Sequence, residues 1–215
     1  METVPARQLL TPLRPTMEHF FYAHYNMNIY RGCCHGCIYC DSRSLCYHLP
    51  DFDRVRIKEN ALALLERELY AKRRPGIVSM GAMSDPYNPC EETQEATRGA
   101  LVLLRRYGFG ISFTTKAARC ARDAELLASL SRVAPVGACL TLTCADDKLC
   151  KQIEPNVSLT SQRLEAIRTL AQAGVYTGIW LNPVLPFLTD YWENLQELLV
   201  RTRDAGGRYA VCFLA

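Results

Sequence analysis

The chain has 215 residues, of which 49% are hydrophobic and 22% are charged, the balance of an ordinary globular protein. This length suits one large domain and is enough to bury a core without disulfides. A formal net charge of +3 is too small to indicate nucleic-acid binding by itself, although the sequence pI of about 8.3 does not exclude it. No apolar run reaches the roughly 18 residues of a membrane span.

Eleven cysteines are spread along the chain, and an odd number does not complete a disulfide framework. The first fifteen residues contain three prolines and three charged side chains, and they lack the apolar core of a secretory signal. We therefore expect a cytoplasmic protein whose thiols are free or bound to metal.

Residues 1–24 are predicted to form an irregular arm, which contains several prolines and an aromatic cluster at 19–22. From residue 25 on, apolar runs alternate with helical patterns. Strands are predicted at 26–31, 77–81, 109–114, 135–142, 175–181 and 208–214. Helices are predicted at 59–73, 91–107, 121–132, 160–173 and 190–205.

Repeated strand–helix alternation is typical of a parallel sheet, which can stay open or curl into a barrel. Polar or unusual residues follow the first five predicted strands, and in a barrel enzyme these carboxyl ends of strands hold the active site. We therefore predict an α/β fold, a partial (β/α)6 TIM-like barrel with mainly parallel strands, over residues 25–215. No helix follows the last predicted strand, which is expected either of a naturally short chain or of a barrel that belongs to a longer protein.

Four cysteines occur within eight residues, directly after the first predicted strand. Cys33, Cys37 and Cys40 have the spacing C-x3-C-x2-C, and thiolates this close in a loop indicate a shared metal ion or cluster. A four-iron cluster held by three cysteines leaves one iron open for chemistry. A structural zinc site is the alternative and needs a fourth ligand. Candidates for that ligand are Cys34, His35, Cys46 and His48.

The cysteine motif, with Tyr39 just before its last member, resembles that of the radical S-adenosylmethionine (radical SAM) enzymes. In that family three cysteines hold a [4Fe–4S] cluster, whose open iron chelates the amino and carboxylate groups of SAM. An electron passed through the cluster cleaves SAM to methionine and a 5′-deoxyadenosyl radical, which abstracts hydrogen from a substrate. The family fold is a partial (β/α)6 barrel, and the resemblance covers residues 25–215.

Within this superfamily the chain is similar to the spore photoproduct lyase-like branch. The stretches that carry this similarity are 31–33, 35–37, 84–87, 115–116 and 154–155.

The resemblance implies two contacts for the polar ends of SAM. The segment that contains Gly81, Ser84 and Asp85 would receive the amino group, and Lys116 would pair with the carboxylate. Ser84-Asp85-Pro86 is also a common turn sequence, and Lys116 alone would suit a solvated surface.

The resemblance also implies contacts for the rest of SAM. Thr141 and Thr143 would face the ribose or the methionine moiety, and Tyr39 would lie beside the adenine. Threonine is common in strands for reasons of packing, so these two positions also fit an ordinary strand.

Two positions depart from the true spore photoproduct lyases. That branch has a hydrogen-donating cysteine two residues before the serine of the second-strand motif, where this chain has Ala82. It has a tyrosine directly after the third cluster cysteine, where this chain has Asp41. We therefore expect a different substrate, and the sequence assigns no catalytic residue.

Four other cysteines near the predicted strand ends could donate hydrogen, although free cysteines more often serve as small buried apolar residues. They are Cys90, Cys139, Cys144 and Cys150. The resemblance implies a small electron donor of the flavodoxin or ferredoxin type as a partner. A nucleic-acid partner is left open but is not favoured, because the basic residues at 98–132 fall mostly on predicted helix surface.

Overall fold

The computed structural model of the chain describes residues 2–14 and 23–212, so the aromatic cluster predicted at 19–22 lies outside the described residues. The strands are β1 Thr3–Val4, β2 Thr11–Pro12, β3 Tyr25–Met27, β4 Tyr30–Arg31, β5 Arg56–Lys58, β6 Ile77–Met80, β7 Gly110–Thr115, β8 Val136–Thr141, β9 Tyr176–Trp180 and β10 Ala210–Val211. The α-helices are α1 Ala61–Tyr70, α2 Glu91–Gln94, α3 Ala96–Arg106, α4 Ala124–Ser131, α5 Asp147–Ile153, α6 Thr160–Gln172 and α7 Trp192–Asp204.

The main sheet has the strand order β10-β9-β8-β7-β6-β3-β2. Its six strands from β3 to β10 are parallel and follow chain order, and β2 pairs antiparallel with β3 at one edge. Helices connect the parallel strands from β3 onward, as parallel pairing requires. Within the described ranges β2 and β10 are the two edge strands and do not pair with each other, so the sheet is not a closed barrel. The predicted partial barrel with mainly parallel strands is confirmed.

A second, three-stranded sheet has the order β1-β5-β4. Strands β1 and β5 are parallel, and β4 pairs antiparallel with β5. The arm is tied to helix α1 by Glu68, whose carboxylate accepts hydrogen bonds from the main-chain N–H groups of Leu9 and Leu10. Both leucines are buried, so this part of the arm packs against the barrel.

The predicted helix at 91–107 is wrong in its continuity, because the structure has two helices, α2 and α3, broken at Glu95. Glu95 has a positive φ of 48°. The buried carboxylate of Glu91 accepts hydrogen bonds from the main-chain N–H groups of Thr97 and Arg98, which are free at the start of a helix. The break therefore lets one acidic side chain cap the helix that follows.

Helix α5 is absent from the sequence prediction, and it begins where the Asp146 carboxylate accepts hydrogen bonds from the N–H groups of Lys148 and Leu149. Gly174 follows α6 with φ of 84°, as predicted for the residue that stops this helix. The last strand is shorter than predicted among the described residues, and 213–215 lie outside them. None of the helices in the described part of the chain combines the length and the apolar character needed to cross a membrane.

Candidate active site

The cysteine loop follows β4 and is entered through Gly32, which has φ of 82°. A Cβ atom at this position would lie 2.4 Å from the carbonyl oxygen of Phe52, so both the backbone angle and the space require glycine. The N–H of Cys33 donates to the same Phe52 carbonyl over 2.8 Å. From the other side, the hydroxyl of Ser84 donates to the Gly32 carbonyl over 2.6 Å. Hydrogen bonds on both sides therefore hold the backbone at the start of the loop in one position.

The three motif cysteines, like the other eight in the chain, form no disulfide. Cys37 is buried, and Cys33 and Cys40 are half-buried. Burial, together with the charge of Asp85, raises the pKa of Cys33 to about 12, and burial raises the pKa of Cys37 to about 11. Thiols in such surroundings ionise when they ligate metal.

The three motif cysteines are the donor type that a [4Fe–4S] cluster takes. Over residues 2–14 and 23–212, no group of three His, Cys, Asp or Glu side chains could hold one metal ion. A zinc site brings its thiolates to about 2.3 Å from one centre. A [4Fe–4S] cluster binds each cysteine through a different iron. Three free thiols on one loop supply that number of donors.

The end of α5 lies against the cysteine loop. The N–H of Ile38 donates to the carbonyl of Ile153 over 3.0 Å, and the N–H of Asn156 donates to the carbonyl of His35 over 3.1 Å. The Asn156 side-chain amide donates to the Cys34 carbonyl, also over 3.1 Å. These bonds fix the loop on both sides of its central cysteine.

Glu154 is the centre of a buried polar cluster beside the loop. Its carboxylate accepts hydrogen bonds from the hydroxyl of Tyr39, from the hydroxyl of Thr143 at 2.9 Å, and from the guanidinium of Arg163. Burial by itself would raise the pKa of Glu154, but the charges of Arg163 and Lys116 outweigh it and hold the pKa below its usual range. Glu154 is therefore a charged, fully paired carboxylate.

Asp85 joins the ends of β6 and β7. Its carboxylate accepts hydrogen bonds from the N–H of Tyr87 at 2.8 Å, the hydroxyl of Thr115 at 2.6 Å and the N–H of Lys116 at 2.8 Å. The Nδ1 atom of His35 lies 3.5 Å from the same carboxylate. Burial lowers the pKa of His35, so its imidazole is neutral at pH 7. The carboxylate oxygens of Asp85 are thus occupied by hydrogen-bond donors of the protein itself.

Lys116 extends from the end of β7 toward the cysteine loop. Its Nζ atom lies 5.7 Å from the centre of the Tyr39 ring, within range of a cation–π contact. It forms no ion pair with any carboxylate that the structure describes. With no direct ion pair to a described carboxylate, this ammonium can receive an anionic group of a ligand, although its charge also acts on Glu154 from a distance.

The remaining predicted contacts lie at the ends of β6 and β8. Gly81 has φ of 103°, and a Cβ there would lie 2.2 Å from the Thr114 carbonyl oxygen. Thr141 and Thr143 are buried, and the Thr141 carbonyl accepts a hydrogen bond from Arg163 over 2.6 Å. Of these residues Thr143 contacts the cysteine loop directly, since its hydroxyl lies 3.2 Å from the hydroxyl of Tyr39.

One of the candidate hydrogen donors joins this network. The Cys150 sulfur accepts from the Arg163 guanidinium at 3.1 Å and donates to the Glu154 carboxylate at 3.6 Å. The hydrogen bond from Cys144 and the charge of Arg163 lower the pKa of Cys150 to about 7, although burial opposes them. Sequence reasoning did not assign Arg163 or Asn156, because each looks like an ordinary helix or loop residue until its partners are known.

The model of the radical SAM superfamily matches residues 27–199. An uncharacterized protein of Mycobacterium tuberculosis is 33% identical over 199 residues, which are 88% of this chain and 58% of that protein. An uncharacterized protein of Methanocaldococcus jannaschii is 31% identical over 171 residues, 78% of this chain and 63% of that protein. The chain thus spans about three fifths of the length of these relatives.

Solved structures show the same fold. Spore photoproduct lyase complexed with dinucleoside spore photoproduct has a TM-score of 0.65 and 19% identity, over 93% of this chain and 56% of that one. The cobalamin-dependent S-adenosylmethionine radical enzyme OxsB has a TM-score of 0.55 and 15% identity, over 82% of this chain and 26% of that one. Because the superfamily match covers most of the chain, the chain belongs to the radical SAM superfamily, an enzyme class that uses a [4Fe–4S] cluster and S-adenosylmethionine.

Proposed function

We propose that residues 25–215 form the barrel of a radical SAM enzyme in which Cys33, Cys37 and Cys40 ligate the cluster. The observation that carries this proposal is the set of three free thiols on one loop that the barrel fixes from both sides. When bound, the cluster and SAM supply a 5′-deoxyadenosyl radical that abstracts hydrogen from a substrate. The residues of the chain bind and orient both cofactors and exclude water from them.

Lys116 is the proposed partner of the SAM carboxylate, because its ammonium lacks a carboxylate partner among the described residues and lies beside the cysteine loop. The segment Gly81–Asp85 is the proposed contact of the SAM amino group. The side chains of Ser84 and Asp85 bond within the protein, so they would support that segment by holding its backbone in place.

The other contacts of SAM are proposed at the end of β8. Tyr39 would lie beside the adenine, since its hydroxyl is held by Glu154 and its ring is thereby fixed next to the cysteine loop. Thr141 and Thr143 would face the ribose or the methionine moiety. The Thr143 hydroxyl also donates to Glu154, which gives it one fixed orientation.

The substrate is proposed to differ from that of spore photoproduct lyase, because Ala82 and Asp41 stand where a hydrogen-donating cysteine and a tyrosine are expected in that branch. We propose a small electron donor of the flavodoxin or ferredoxin type as a partner, which would supply the electron that reductive cleavage needs. The free thiols support a reducing compartment, the cytoplasm.

Anaerobic reconstitution with iron and sulfide, followed by dithionite and SAM, tests the proposal. The wild-type protein is expected to contain iron and sulfide in similar amounts and to release 5′-deoxyadenosine. Cys37→Ala is expected to lose both properties while its circular dichroism spectrum stays unchanged. Cys34→Ala, which changes the neighbouring thiol, is the matched control and should retain both.

Two results would contradict the proposal. One is a protein that binds one zinc ion with neither iron nor sulfide, which would indicate a non-catalytic zinc protein. The other is a Cys37→Ala protein that still produces 5′-deoxyadenosine. A protein that assembles the cluster but does not cleave SAM would limit the function to iron–sulfur binding.

A further inference from the structure

Glu154 lies outside the ligand set proposed above, yet it contacts the cysteine loop at a critical place. Its carboxylate accepts a hydrogen bond from the hydroxyl of Tyr39, a residue that lies between Cys37 and Cys40. The side chain of Glu154 is fully buried, and a buried carboxylate is stable only when it is paired and hydrogen-bonded. Its partners therefore determine where it can sit.

Arg163 holds Glu154 in place. The guanidinium is itself fully buried, and it donates to Glu154, to the carbonyl of Ser158 at 2.7 Å and to the carbonyl of Thr141 at 2.6 Å. Thr141 is the last residue of β8, and Arg163 belongs to α6. The position of Glu154 is thus set by a strand and a helix of the barrel.

The bonds from Ile153 and Asn156 add three further contacts between the same segment and the loop, all to main-chain atoms of the loop. Gly36, with φ of 72°, lets the loop approach closely, since a Cβ there would lie 3.1 Å from both Pro155 and Asn156. Together with the bond between Glu154 and Tyr39, four hydrogen bonds join this segment to the loop. The segment can therefore hold the loop in one conformation before any cofactor binds.

We infer that Glu154, fixed by Arg163, is a positioning residue that preorganises the cysteine loop through Tyr39. The inference rests on the proposed function, in which this loop carries the cluster. Loops that are already ordered bind more tightly, because binding no longer has to restrict their motion. The hydroxyl of Tyr39 and the carboxylate of Glu154 would therefore determine how firmly Cys37 and Cys40 are held.

Thiol labelling of the cofactor-free protein tests this inference without using the cluster. Cys37 is 6% exposed and Cys120 is 0% exposed, so labelling of either requires an opening of the structure. Labelling with iodoacetamide, quantified for each cysteine by mass spectrometry, separates local opening of the loop from unfolding of the core. Tyr39→Phe removes only the hydroxyl, and Glu154→Gln removes the charge and keeps the shape.

In Tyr39→Phe, Cys37 and Cys40 are expected to label about tenfold faster than in the wild type, which is the loss of about one hydrogen bond, and Cys120 is expected to accelerate less. Glu154→Gln also leaves the buried Arg163 without its charged partner, so in that variant Cys120 is expected to accelerate as well, through the loss of overall stability. Glu165→Gln is the matched control, because Glu165 is an exposed carboxylate on the same helix as Arg163. Its labelling rates should equal those of the wild type. If Glu154→Gln fails to fold, Tyr39→Phe carries the test.

Unchanged labelling of Cys37 in folded Tyr39→Phe would overturn the inference, as would equal acceleration of Cys37 and Cys120 in that variant, which would indicate a general structural role. A second readout uses the reconstituted protein, whose iron should pass to a chelator faster in Tyr39→Phe than in Glu165→Gln. Failure of the wild type to take up iron would instead contradict the proposed function, and the labelling result would still decide the positioning role.

Discussion

The hydroxyl of Ser84 donates a 2.6 Å hydrogen bond to the carbonyl of Gly32, although the two residues are 52 positions apart in the chain. Gly32 directly precedes the first motif cysteine, and Ser84 follows β6. This bond joins the end of a central strand to the entry of the cysteine loop. It makes the loop part of the barrel edge and suggests substitutions that separate loop geometry from cofactor chemistry.

Ser84→Ala is expected to lower the free energy of unfolding by about 1 kcal/mol, because the buried hydrogen bond from Ser84 to the Gly32 carbonyl is lost. Ser131→Ala is the matched control, since Ser131 also donates to a carbonyl but is exposed. Urea unfolding monitored by circular dichroism measures both changes. Equal effects at the two positions would contradict the role given to Ser84.

Gly32→Ala and Gly174→Ala form a pair that separates backbone strain from lack of space. The two glycines have nearly equal φ angles of 82° and 84°, but only Gly32 has atoms close to the added Cβ. Gly174→Ala is expected to cost about 1 kcal/mol, the usual cost of a left-handed conformation. Gly32→Ala is expected to cost about 3 kcal/mol, because the Phe52 carbonyl must also move. Denaturant unfolding of both variants measures the difference, and equal costs would mean that the Gly32 contact is unimportant.

Lys116→Ala is expected to keep the cluster and to weaken SAM binding by about tenfold or more, the effect of losing a charge-assisted hydrogen bond. Lys148→Ala removes an exposed ammonium from α5 and should leave the affinity unchanged. Equilibrium dialysis of the reconstituted, unreduced protein against a series of SAM concentrations measures the dissociation constant. Wild-type affinity in Lys116→Ala would rule out the proposed ion pair.

Acid unfolding reports on Glu154. Its folded-state pKa lies below the ordinary value, so its contribution to stability is full above about pH 4.5 and is lost as the pH falls through the folded pKa. Glu154→Gln should therefore be less stable than the wild type at pH 7, by about 3 kcal/mol because Arg163 loses its buried partner. The difference should shrink below pH 4. Unfolding curves at pH 7, 5, 4 and 3 measure the difference in unfolding free energy between the two proteins. A difference that stays constant with pH would contradict the charged state of Glu154.

Much of the fold could be predicted from the sequence because its signals are local. The parallel strands from β6 to β9 lie where apolar runs end in polar residues, and the Gly174 stop depends only on the helix before it. The break at Glu95 could not be predicted, because it depends on the buried Glu91. The Glu91 carboxylate accepts a hydrogen bond from the Tyr30 hydroxyl, 61 positions away. Helix α5 was missed for a different reason, since it is short and has little apolar periodicity.

The sequence by itself determined the alternation of the parallel strands β6 to β9 with helices, and the three cysteines of the motif, since eight neighbouring residues carry that motif whatever surrounds them. Only the tertiary structure decided that Glu154 meets Tyr39 and that Asp85 joins His35 to Lys116. These residues come from the cysteine loop, from the end of α5 and from the ends of β6 and β7, so their meeting depends on the packing of these elements and on buried charges that must find partners. No local pattern in the sequence records either condition.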